Sequence, residues 1–76
     1  MDGTHRDEWA AALRDHEREI DRLCVEIAML ERERRAYGHS DAASGILRLQ
    51  IELANGQLTR HRIGAALMSA RLRSVA

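Results

Sequence analysis

The 76-residue sequence contains no proline, no phenylalanine and no lysine, and it has one cysteine, one tryptophan and one tyrosine. Without proline, and with aromatics at 3%, turn-punctuated strands of a sandwich or barrel are not expected. Cys24 stands alone, so no internal disulfide can form and nothing points to an oxidising compartment. It has no CxxC partner and no histidine three or four residues away, so it reads as a small, part-buried hydrophobe rather than a reactive thiol. No apolar run approaches the ~18 residues of a membrane span, and the segment Met1–Glu8 is too polar for a signal peptide. These absences predict a soluble, cytoplasmic chain. A Gly-rich phosphate loop, an HExxH pair and a nucleophile elbow are missing too, so neither enzyme activity nor a small-molecule substrate is expected.

What remains is rich in Ala, Leu, Glu and Arg, with 45% hydrophobic and 32% charged residues, a mix that suits helical bundles and coiled coils. Trp9, Leu13, His16, Ile20, Leu23, Ile27, Leu30, Arg34 and Tyr37 alternate steps of four and three, a heptad seam on one long helix. Leu47, Ile51, Ala54, Leu58, His61, Ala65, Met68, Leu72 and Val75 form a second such ladder. Between them, Gly38 suits the left-handed residue after a helix, followed by His39, Ser40 and Asp41. The reading is a single domain, 1–76. Helix 1 covers about 5–37 with Thr4 as N-cap and Asp7 at the capping-box position. The turn is 38–41, and helix 2 covers about 42–73, capped by Ser40 or Asp41.

Folding the chain at the turn brings the ladders into register. Leu30 meets Ile51, Ile27 meets Ala54, Leu23 meets Leu58 and Ile20 meets His61, the two numbers in each pair summing to 81. On the flanks Glu17 comes opposite Arg62 and Glu31 opposite Arg48, pairs that add about 0–1 kcal/mol each but favour this orientation. Residues 1–37 carry ten acids and seven arginines, residues 38–76 two acids and five arginines, so halves of −3 and +3 neutralise in a hairpin. Gly45, Gly56 and Gly64 each weaken helix 2 by roughly 1 kcal/mol relative to Ala, which suggests close helix approach.

One stripe is left over. Ile46, Leu49, Leu53, Ile63 and Leu67, with Ala70, lie on helix 2 opposite its seam, interrupted only by Gly56 and Arg60. Soluble monomers rarely leave such a patch bare. The fold expected is therefore all-α: an antiparallel, coiled-coil-like two-helix hairpin that assembles into a four-helix bundle. The partner is a second copy or another protein, docked on Ile46, Leu49, Leu53, Ile63 and Leu67, with Trp9 and Leu72 closing the open end. The opposite docking, with the Ile46–Leu67 face inward, would leave the Leu47 ladder bare instead.

His16 and His61 fall in adjacent seam layers, near enough for a metal or haem site between helices. The alternative is a polar layer that fixes register, and imidazoles there could make assembly sensitive to pH near neutrality. With no third ligand in a fixed pattern, no cofactor is expected. The arginines of the Arg60–Arg73 end could contact nucleic acid, but they fold beside Asp7, Glu8, Asp15 and Glu17, and the net charge is zero. Neither nucleic acid nor membrane is expected as partner. In outline the chain resembles the small hairpin chaperones of bacterial secretion systems, which implies a non-enzymatic adaptor or chaperone-like module acting through the outer face of helix 2.

Overall fold

The computed structural model describes residues 2–38 and 41–75. They form two helices, α1 (Asp2–Tyr37) and α2 (Asp41–Ser74), packed antiparallel into a rod of 57 × 14 × 14 Å. No helix among the described residues is long and apolar enough to cross a membrane.

Helix α1 starts earlier than the cap at Thr4 implied, so Thr4 lies inside it. At the other end, Arg34 and Arg35 occupy the last turn, the position suited to cations. Gly38 then stops the helix with φ +63°, and its N–H donates to the carbonyl of Arg35 at 3.3 Å. That bond is one of the two that define a Schellman ending, and an L side chain is strained in this conformation. His39 and Ser40 lie outside the described residues, so the expected cap at Ser40 does too. Asp41, the other candidate, is already the first residue of α2.

The seam is the one the two ladders specify. Leu23 is fully buried, and Leu47, Ile51, Ala54 and Leu58 are each under a tenth exposed. Leu23, Ala54 and Leu58 form one cluster, with Ile20 and Ile27 packed against it. Burying each of these large aliphatics contributes about 1.5–3 kcal/mol. The seam tapers toward both ends. Arg34 and Tyr37 are exposed near the turn, while Trp9, Leu13, Met68 and Leu72 are only half-buried at the open end.

The charged flanks depart from expectation. Glu17 does not pair with Arg62, nor Glu31 with Arg48, and among the described residues every ion pair lies within α1. Asp15 pairs with Arg18, His5 lies 3.6 Å from Glu8, and Arg22 reaches Glu19 at 2.8 Å and Glu26 at 3.1 Å. Partners one turn away on the same rigid helix cost less side-chain entropy than partners across the seam. The hairpin's orientation is therefore set by its apolar layers. Cys24 is likewise exposed rather than part-buried, because Leu23 and Ile27 take the seam and leave its flanking position open.

Candidate functional site: an uncovered apolar face and a histidine pair

Helix α2 is apolar on two faces, and α1 covers one. Ile46, Leu49, Leu53, Ile63 and Leu67 stay 52–66% exposed, and Ala70 shares their face in the open. The seam with α1 takes the Leu47 ladder, which excludes the opposite docking. The uncovered residues recur at alternating steps of three and four, so they form one continuous stripe down the helix. Gly56 and Arg60 sit within it, both exposed, and a Cβ placed on Gly56 would meet no atom within 4 Å.

The apolar surface is wider than the stripe. Val25 and Met29 of α1 are 60% and 62% exposed. Two shallow hollows adjoin there, one lined by Val25 and Met29 and the other by Gln50, Leu53 and Gln57; Glu26 and Leu30 line both. The uncovered surface therefore crosses the edge of the seam from Leu53 onto α1. In the sequence Val25 and Met29 stand among charged residues of α1, off its heptad seam. The signal that could have found them is heptad geometry: Met29 and Leu53 occupy equivalent positions on the two helices, on the same flank of the seam as Glu26 and Gln57.

Further along the seam, His16 and His61 approach until their Nδ1 atoms are 2.9 Å apart, with ring centroids at 5.2 Å and planes tilted by 57°. One Nδ1 donates and the other accepts, so the bond requires at least one neutral ring. Gly64 makes room for it. A Cβ at Gly64 would stand 2.5 Å from His16 Nε2 and 2.7 Å from Cε1. Gly64 is thus a point of close helix approach, whereas the missing side chains of Gly45 and Gly56 face open space.

Beside the pair, Glu19 accepts from Arg22 Nε at 3.0 Å and Nη2 at 2.8 Å. The Arg22 hydrogen bond holds the Glu19 carboxyl below the ordinary carboxylate range; desolvation opposes this, and the charges of Arg22 and His61 reinforce it. The guanidinium of Arg22 is raised in turn, first by its hydrogen bond to Glu19. Among the described residues no group of three or more His, Cys, Asp or Glu side chains is arranged to hold a metal ion. The histidine pair alone offers two nitrogen donors.

At the open end Trp9 is flanked by Arg71 and His5. The Arg71 guanidinium carbon lies 5.8 Å from the ring centroid, and the His5 ring stacks at 6.0 Å and 22°. Arg71 therefore lies over Trp9 although it is exposed, as Arg60, Arg62 and Arg73 are, and the four spread over different faces of α2. No protein-family model, curated protein or solved structure matches the chain.

Proposed function

We propose that this chain is a non-enzymatic protein–protein interaction module, a small helical adaptor or chaperone-like protein whose working surface is the outer face of α2. The observation that carries this reading is the stripe Ile46, Leu49, Leu53, Ile63 and Leu67, more than half exposed on a helix whose opposite face is buried. Apolar area of that kind is stabilised by removal from water, and a continuous helical stripe suits an apolar helix laid alongside it. Val25 and Met29 widen the surface to two helices, and a surface of that width suits a hairpin that forms half of a four-helix assembly.

The test is a double substitution, Leu53→Asp with Leu67→Asp. Both side chains are exposed, so the helical content of the isolated hairpin in dilute solution is expected to stay as it is, while association or partner capture is lost. Unchanged association would sink the reading. A second reading, a metal- or haem-binding bundle using His16 and His61, has the 2.9 Å approach of the two nitrogens in its favour. Titration with zinc or cobalt tests it: saturable binding lost in both His16→Ala and His61→Ala would establish the site, and no binding would dispose of it.

A further inference from the structure

The stripe on α2, like any ladder of alternating three- and four-residue steps, can pair antiparallel with a second copy of itself, and what it carries at the centre of that register is specific. Its eight positions are Ile46, Leu49, Leu53, Gly56, Arg60, Ile63, Leu67 and Ala70, spaced three and four residues apart. Set antiparallel against an identical helix, they pair as Ile46 with Ala70, Leu49 with Leu67, Leu53 with Ile63 and Gly56 with Arg60, the numbers in each pair summing to 116. No position is left over. This is the same kind of layer that joins α1 to α2, where the paired numbers sum to 81. A two-fold contact needs this self-complementarity, since each layer occurs twice; a foreign partner imposes no such symmetry.

The two residues that interrupt the stripe fit the same register. Gly56 weakens the helix it sits in and nothing within the hairpin requires it, because its missing side chain faces open space. In the paired register Gly56 lies opposite the longest side chain of the stripe, Arg60 of the other copy, whose aliphatic stem fills the gap over a bare backbone. Glu52 stands four residues before Gly56, on the neighbouring helical turn, and is the only carboxylate on α2 after Asp41. An arginine lying over Gly56 therefore brings its charge beside Glu52. The two apparent defects become one layer with matched size and matched charge.

We infer that a second copy of this chain covers the stripe, α2 against α2 antiparallel, with the two-fold axis near residue 58 between the Gly56–Arg60 layers. This rests on the interaction reading above and names its partner. Sedimentation equilibrium is expected to give twice the 8.6 kDa chain mass. Leu53→Asp should weaken dimerisation by at least about thirty-fold, the scale of a central interface residue. Gly56→Leu should also dissociate the dimer, while leaving the hairpin as helical as before or more so.

Register is read separately in a Cys24→Ser background. Leu49→Cys with Leu67→Cys should be joined into a covalent dimer by a short bis-maleimide. Leu49→Cys alone should not, because two copies of residue 49 would lie about 27 Å apart along the axis. A wild-type chain that is monomeric at its highest soluble concentration overturns the second copy. If such a monomer binds a different helical protein and loses it on Leu53→Asp, the interaction reading stands without this inference. A dimer unmoved by Leu53→Asp and Gly56→Leu overturns both.

Discussion

Two faces of one helix carry nearly equal apolar content and differ in what lies against them. Along the seam of α2, Leu47, Ile51, Ala54 and Leu58 are each under a tenth exposed; a half-turn round the helix, Ile46, Leu49 and Leu53 are at least 60% exposed. The difference is not in hydrophobicity, since the outer face holds as many large aliphatics. It lies in what α1 can match. The α1 ladder ends near the turn in Arg34 and Tyr37 and carries one continuous apolar stripe, enough to cover one face of α2 and no more. The inner face makes the hairpin, and the outer face is available to something else.

The largest expected effect breaks the inner face. Leu23→Ala removes the one fully buried large side chain among the described residues and should cost about 2–5 kcal/mol. Leu53→Ala, measured by circular dichroism in dilute solution, should change hairpin stability by less than about 0.5 kcal/mol. Comparable losses at the two positions would mean that the wrong face has been placed inward. Next comes a comparison between glycines. Gly64→Ala forces a methyl group into His16 and should destabilise by about 1–3 kcal/mol. Gly45→Ala, with open space around it, should stabilise by about 0.5–1 kcal/mol; urea melts of the two variants should move in opposite directions.

A smaller effect separates the polar seam contact from the charged flanks. A double-mutant cycle on His16→Leu and His61→Leu should return a coupling of about 0.5–1.5 kcal/mol. The same cycle on Glu17→Ala and Arg62→Ala should return none, since those side chains do not meet. The smallest effect concerns Glu19. Its carboxyl is held below the ordinary range, chiefly by Arg22, so its contribution is present above the unfolded-state pKa and is lost as pH falls through the lower folded value. An acid titration of helicity should show that loss in the native chain and not in Arg22→Gln. Matching curves would remove the Glu19–Arg22 contact from the account of acid behaviour.

Much of the hairpin was legible because its signal is periodic. Leu23 against Leu58 and Ile27 against Ala54 follow from ladder spacing and a glycine stop at Gly38, and the meeting of His16 with His61 follows from the same register. Features without a period were not legible. Three glycines look alike in the sequence, yet Gly64 alone touches the other helix, because the distinction depends on where the His16 ring lies. Cys24 and the pairs Glu17–Arg62 and Glu31–Arg48 were misplaced for a related reason: flanking positions are decided by side-chain entropy and local competitors, as Arg22 shows by choosing Glu19 and Glu26 on its own helix.

By itself, then, the sequence determined the two helices, their antiparallel register and the existence of a second apolar stripe, because backbone hydrogen bonding and a 3.6-residue period leave little freedom in where side chains point. Only the tertiary structure decided which face of α2 was covered, which glycine allowed close approach, and that Val25 and Met29 extend the bare surface onto α1. Those outcomes depend on the distance between two packed helices and the volumes that fill it, quantities that no single helix contains.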